Sequence, residues 1–263
     1  MPELPEVETV VRSLAPHLPG RRIVDAEFRS RFVTPGGFAK LRRQVVGRTI
    51  VGVERRGKFI LVTLDHGLLA IHLGMTGKLL LDAPRTPHTR AIFTFEDGIL
   101  LYDDSRQFGR IEWSLHLPPR IAKLGPEPLE ISFDDFYHAL HRRKTRIKPL
   151  LLNQTFLRGL GNIYVDEVLF RSGIHPNAIA ARLSKPRARH LHQSIGELLR
   201  LAIEYRGSSI SDYVDAGGNQ GSFQLLHRVY GKQGEPCSNC GAPIRRIVVA
   251  QRGTHLCPNC QRR

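Results

Sequence analysis

The chain has 263 residues, of which 41% are hydrophobic. That is enough for a real core and for more than one domain. It carries 39 basic against 24 acidic residues, a net charge of +15, which suits a polyanionic partner, nucleic acid first. No apolar run approaches the length of about 18 residues that a membrane span needs. Three acidic residues precede the first basic one, unlike a signal peptide. The expectation is a soluble cytoplasmic protein.

The chain opens Met1-Pro2-Glu3-Leu4-Pro5-Glu6. If Met1 is trimmed, Pro2 becomes a free secondary amine, able to attack a sugar carbon and form an iminium. Behind Met1 the same nitrogen is a tertiary amide without nucleophilicity. An α-amine has a pKa of about 7.7–8, nearer neutrality than a lysine. Proline is also welcome in the first turn of a helix, so Pro2 and Pro5 alone could merely frame one. Residues 5–18 follow as an amphipathic helix, with Val7, Val10, Val11, Leu14 and Leu18 at helical spacing.

Short apolar or alternating runs come next, bounded by Gly, Asp or Pro. They predict strands at 22–28, 49–55, 59–64, 68–73, 78–81, 91–95, 99–102 and 110–114. Asp65-His66-Gly67 and Glu96-Asp97-Gly98 supply turns. The expected architecture is a mostly antiparallel β-sandwich or barrel over residues 1–116, carrying one helix. Residues 117–131, rich in Pro and Gly, read as a linker. Helical patterning then runs over 132–226. Ser132-Phe133-Asp134-Asp135 is a helix start, and the clearest periodicity lies at 185–205. Residues 210–222, with Gly217, Gly218 and Gly221, read as a mobile loop.

Residues 227–263 hold all four cysteines as Cys237-x2-Cys240, sixteen residues, then Cys257-x2-Cys260. This is the spacing of a four-thiolate site for one structural Zn²⁺, closed to catalysis by its fourth ligand. Residues 244–251 and 254–257 read as a hairpin with Arg252-Gly253 at its tip. Two regions concentrate positive charge. Arg142, Arg143, Lys144, Arg146 and Lys148 crowd one stretch, and no acid follows Glu235. Both lean toward phosphate contacts.

Five motifs in order, MPELPEVET, HLGMTG at 72–77, LGPEPL at 124–129, GLGNIYVDEVLFRSGIHP at 159–176 and the cysteine hairpin, resemble bacterial formamidopyrimidine-DNA glycosylases. The resemblance implies an α+β multidomain protein: an N-terminal β-sandwich with an early helix, a helix–two-turns–helix domain and a zinc-finger hairpin. It implies a monomer that excises oxidised purines from duplex DNA and cleaves the abasic strand. Pro2 would be the nucleophile at C1′. Glu3 would be general acid/base, although an acid there also complements a helix dipole. Glu6 would support the site more weakly. Lys58, read alone a surface lysine at a strand start, would serve base excision and β-elimination. Arg252 would grip phosphate and assist δ-elimination.

A duplex hides its bases, so such an enzyme flips the lesion and fills the gap. Met75, Arg106 and Phe108 match the void-filling set. Read alone, Met75 and Phe108 are core residues. Asn162 matches a phosphate-gripping residue at a helix start. His88, Arg143 and Lys148 match backbone contacts, and residues 211–222 match a lesion-capping loop. Ser105, Gln107 and Arg206–Ser209 depart from the usual pattern, which leaves the lesion range more open than the reaction type. The alternatives are an endonuclease VIII-like glycosylase for oxidised pyrimidines and a non-catalytic zinc-finger DNA-binding protein.

Overall fold

The computed structural model describes residues 2–210 and 212–262. The expected loss of Met1 concerns a residue outside these, and Ser211 of the expected capping loop lies outside them as well. The chain forms two compact units, Met1–Lys123 with Tyr205–Gln224, and Leu124–Glu204 with Leu225–Arg263.

The first unit begins with α1, Leu4–Leu14. Pro5 sits in its first turn, and Pro16, lacking an N–H, ends its ladder. Leu4, Val7, Val10 and Leu14 are fully buried. Each such side chain stabilises the fold by roughly 1.5–3 kcal/mol. Eight strands follow: β1 Asp25–Phe28, β2 Ile50–Arg56, β3 Phe59–Leu64, β4 Leu68–His72, β5 Lys78–Leu81, β6 Thr89–Phe95, β7 Gly98–Asp103 and β8 Arg110–Ser114. They build two antiparallel four-stranded sheets, ordered β1-β6-β7-β5 and β2-β3-β4-β8. Val62, Leu69 and Ile71 from one sheet share a core with Phe93, Leu100 and Tyr102 from the other and with α1. The expected sandwich is present, strand for strand.

Helix α2, Phe38–Val45, was not expected. Only Leu41 and Val45 of its residues are buried, too few in an Arg-rich stretch to show a period. The expected linker contains a single helical turn, α3, Pro119–Ala122, whose Ile121 is fully buried.

Residues 205–224, expected inside the helical domain, belong instead to the first unit. Leu81 N–H donates to Ala216 O (3.0 Å), and Ala216 N–H donates to Ser13 Oγ (3.0 Å). The expected loop is turned on Asp215, whose Oδ1 accepts from the N–H groups of Gly217 (3.0 Å) and Asn219 (2.8 Å). A buried Asx-type turn organises what composition alone reads as a Gly-rich loop.

The second unit is helical: α4 Phe133–His141, α5 Ile147–Leu152, α6 Asn162–Arg171 and α7 Lys185–Glu204. Ser132 caps α4, its Oγ accepting from Asp135 N–H (3.1 Å). Every residue of α6 from Ile163 to Phe170 is buried, so α6 is the central helix of this unit. The unit ends in a hairpin of β9, Arg245–Val249, and β10, Arg252–Leu256. Its tip is Ala250-Gln251, with φ +48° and +60°, and not Arg252-Gly253. Two consecutive left-handed residues make the turn that suits a two-residue hairpin. Arg252 therefore opens β10 opposite Val249, exposed to solvent.

Candidate active site and zinc centre

The N-terminal residues are held by a buried chain of hydrogen bonds. Pro2 is buried, and Glu3, 2% exposed, is the N-cap of α1. Glu3 and Glu6 form a capping box, with Glu3 N–H donating to Glu6 Oε2 (2.8 Å). The other Glu6 oxygen accepts from Ser208 N–H (2.7 Å), and Tyr213 Oη donates to Glu6 O (3.2 Å). Gly207, at φ +76°, makes this approach possible, because a Cβ there would meet Glu6 Oε1 at 2.6 Å. Glu6 thus ties the residue after Pro2 to the segment 205–224.

Lys58 is 7% exposed, not the surface lysine its sequence setting suggests. It follows Gly57 in the β2–β3 turn, which Arg55 ties to α1. Arg55 Nε donates to Glu8 Oε2 (2.8 Å), and its Nη1 donates to Gly57 O (3.3 Å). Opposite Phe59 in the sheet stands His72. Burial, then the positive charges of Lys58, Arg120 and Arg110, pull the His72 pKa down to about 4. The ring is therefore neutral near pH 7, and its Nδ1 accepts from Gly74 N–H (3.1 Å).

Met75 and Phe108 are 40% and 52% exposed, against the core placement expected of such residues. Arg106 is exposed and lies over the Phe108 ring at 4.7 Å. Between them Gln107 takes φ +57°, and its Oε1 accepts from Ser30 Oγ (2.6 Å). His88 is exposed on the same unit.

In the second unit Arg143 is exposed, but Lys148 is not. Lys148, expected at the phosphate backbone, is entirely buried, with Nζ 2.6 Å from Asp166 Oδ1. That expectation is corrected: an ammonium sealed in an ion pair contacts no phosphate. Lys148 Nζ also donates to Gly253 O (3.1 Å), and Asp166 Oδ2 accepts from His255 N–H (2.8 Å). Asn162, first residue of α6 behind the N-cap Gly161, donates from Nδ2 to the same Gly253 O (2.9 Å). Three side chains from α5 and α6 thus seat β10 next to Arg252.

Glu167, the neighbour of Asp166, accepts from the N–H groups of Arg228, Val229 and Tyr230 at 2.7–3.1 Å. Burial, its largest influence, holds its pKa above the usual carboxylate value despite these donors. Sequence reasoning singled out neither Asp166 nor Glu167 as a positioning residue. The signal available was a pair of acids inside an otherwise apolar helix.

The four cysteines converge, with all Sγ atoms within 4.8 Å of one another. Cys237 and Cys260 sulfurs are 3.8 Å apart, and those of Cys240 and Cys257 are 3.5 Å apart. Zn–S bonds of about 2.3 Å in a tetrahedron require S···S edges of about 3.8 Å, so the set fits one structural Zn²⁺. Asn239 N–H donates to Cys237 Sγ and Cys260 N–H to Cys257 Sγ, both at 3.4 Å, which favours thiolates. Gln261, fully buried, accepts from Cys257 N–H (2.9 Å) and donates to Ile174 O (3.0 Å), fixing the second knuckle to the turn after α6.

Three family models match in chain order. They are the formamidopyrimidine-DNA glycosylase N-terminal domain over residues 1–111, the H2TH domain of the same proteins over 124–214, and the zinc finger found in FPG and IleRS over 234–263. A formamidopyrimidine-DNA glycosylase of Solibacter usitatus is 61% identical over 265 residues, with all of both chains covered. The chain belongs to the formamidopyrimidine-DNA glycosylase family. A family member from Methylococcus capsulatus is 43% identical, again over all of both chains. Among solved structures, a variant of Lactococcus lactis FPG in complex with Fapy-dG containing DNA superposes with a TM-score of 0.92 at 43% identity, covering all of both chains. The Lactococcus lactis Fpg complex with abasic-site DNA has a TM-score of 0.91 at 43% identity, covering 99% of this chain and all of the other. No helix among the described residues is long and apolar enough to cross a membrane.

Proposed function

We propose that this protein is a bifunctional DNA glycosylase and AP lyase that removes oxidised purines, 8-oxoguanine and formamidopyrimidines, from duplex DNA. The observation that supports it most directly is the head of α1. There Pro2 precedes a buried Glu3 whose backbone is held by Glu6. With Met1 removed, the Pro2 nitrogen attacks C1′ and the glycosidic bond breaks, the base leaving with a proton. Glu3 exchanges protons with the sugar as its ring opens, which leaves an iminium between protein and sugar. Lys58 serves base departure and the loss of the C2′ proton. That loss expels the 3′ phosphate, and a second elimination, assisted by Arg252, expels the 5′ phosphate. Hydrolysis of the iminium frees the amine.

Met75, Arg106 and Phe108 fill the space the extruded base leaves. His88, Arg143 and Asn162 contact phosphates, Asn162 from the first turn of α6. Zn²⁺ on the four cysteines keeps the hairpin folded, and every step above runs on the chain's own residues. Residues 1–116 carry Pro2, Glu3, Lys58 and the void-filling residues, 132–226 carry Arg143 and Asn162, and 227–263 carry Arg252 and the zinc site. The protein acts as a monomer in the cytoplasm, at the nucleoid.

The test is incision of a duplex bearing one 8-oxoguanine, beside an undamaged duplex and one bearing an oxidised pyrimidine. Cleavage of the first alone, with phosphate left on both sides of the gap, is expected. Cleavage of the pyrimidine duplex alone indicates an endonuclease VIII-like enzyme. Tight binding without cleavage of either indicates a DNA-binding protein.

A further inference from the structure

We infer that Asp104 is the positioning residue that makes the Met75 and Phe108 loops one rigid wedge. The inference rests on the void-filling role proposed above. Asp104 is wholly buried at the end of β7. Its Oδ1 accepts from Thr76 Oγ1 (2.6 Å), the residue after Met75, and its Oδ2 accepts from Gly109 N–H (2.8 Å), the residue after Phe108. The Thr76 hydroxyl in turn accepts from Arg106 N–H (3.3 Å). The Asp104 backbone reaches His88, donating its N–H to His88 O (2.9 Å). One carboxylate and one hydroxyl therefore fix the chain beside Met75, Arg106 and Phe108, and the Asp104 backbone N–H holds His88.

The loops also touch directly. A Cβ on Gly74, at φ +62°, would collide with the backbone of Phe108 and Gly109, and one on Gly109 would collide with the Tyr102 hydroxyl. That hydroxyl donates to His72 O (3.3 Å), just before the Met75 loop. Met75 and Phe108 are largely exposed, so packing of their own side chains does not aim them. Their direction comes from the backbone, and the backbone is set by Asp104. A wedge ordered before it meets the duplex avoids an ordering cost during base extrusion.

A preformed abasic site separates this role from general damage, since it has no base to extrude. Single-turnover incision of an 8-oxoguanine duplex and an abasic duplex is measured for the full-length zinc-loaded protein and for Asp104→Asn, Thr76→Val and Thr76→Ser. Loss of a hydrogen bond to a buried charge predicts at least about tenfold slower base excision for Asp104→Asn and Thr76→Val, with abasic incision within about threefold of wild type. Thr76→Ser, which keeps the hydroxyl, restores excision. Thr76 is only half-buried, so Thr76→Val decides the matter if Asp104→Asn does not fold. Equal slowing on both substrates, or wild-type excision by Thr76→Val, overturns the inference. A wild-type protein that cuts neither duplex overturns the proposed function and the inference with it.

Discussion

Lys148 and Asp166 pair at 2.6 Å with neither side chain exposed, and both also bind the backbone of β10. The pair is thus an anchor for the strand that begins at Arg252. Removing one partner leaves an uncompensated buried charge. Lys148→Met is expected to destabilise the protein by about 3–5 kcal/mol, whereas Lys148→Met with Asp166→Leu recovers most of that loss. Chemical denaturation of the three proteins measures it. Equal stability of Lys148→Met and wild type would show that the pair does not hold the hairpin.

Glu6 satisfies two buried backbone N–H groups, those of Glu3 and Ser208. Glu6→Ala orphans both and is expected to cost about 2–4 kcal/mol and to slow incision at an abasic site more than tenfold. Glu6→Gln keeps one acceptor oxygen and is expected to fall between. Wild-type incision by Glu6→Ala contradicts the view that Glu6 aligns the residues beside Pro2.

The sulfur tetrahedron predicts that metal and DNA affinity fall together. Cys257→Ser is expected to lose bound zinc, read by mass spectrometry of the native protein, and to bind duplex DNA at least about tenfold more weakly as the hairpin disorders. Full zinc occupancy, or unchanged affinity without zinc, contradicts this.

Much of the architecture was legible because it is local. The eight strands show short apolar or alternating runs between turn residues, and the cysteine spacing names its own metal chemistry. Pro2 and Glu3 stood out as candidates through the resemblance of the opening motif, because alone they also suit a helix start, where Glu3 is the N-cap. The anchors were not. Asp104, Asp166 and Glu167 act through partners such as Thr76, His255 and Tyr230, far away or across a turn, and no periodicity marks a buried acid that caps backbone elsewhere. Lys148 misled because a lysine in a basic run reads as surface. Its partner lies eighteen residues away on another helix. Helix α2 escaped because two buried residues give no pattern.

His72 gives a pH dependence of stability. Its folded pKa lies near 4 against an ordinary value of 6.5, chiefly through burial and then the charges of Lys58, Arg120 and Arg110. Between these values the unfolded chain binds the proton and the folded one does not. The stabilisation is therefore complete above about pH 6.5 and is lost as pH falls toward about 4, a contribution of about 1–3 kcal/mol for a half-buried ring. His72→Phe is expected to show a smaller fall in Tm between pH 7 and pH 4.5 than wild type. Parallel Tm curves would remove His72 from the acid response.

The central claim is that the Pro2 nitrogen becomes bonded to the damaged nucleotide. Borohydride added during reaction with an 8-oxoguanine duplex reduces an iminium to a stable amine, and mass analysis of the N-terminal peptide locates it. The expected product is a DNA adduct on Pro2 with Met1 absent, and much less adduct from Pro2→Gly, which loses most excision. Absence of any adduct from wild-type protein that has lost Met1 and binds the duplex contradicts the proposed chemistry.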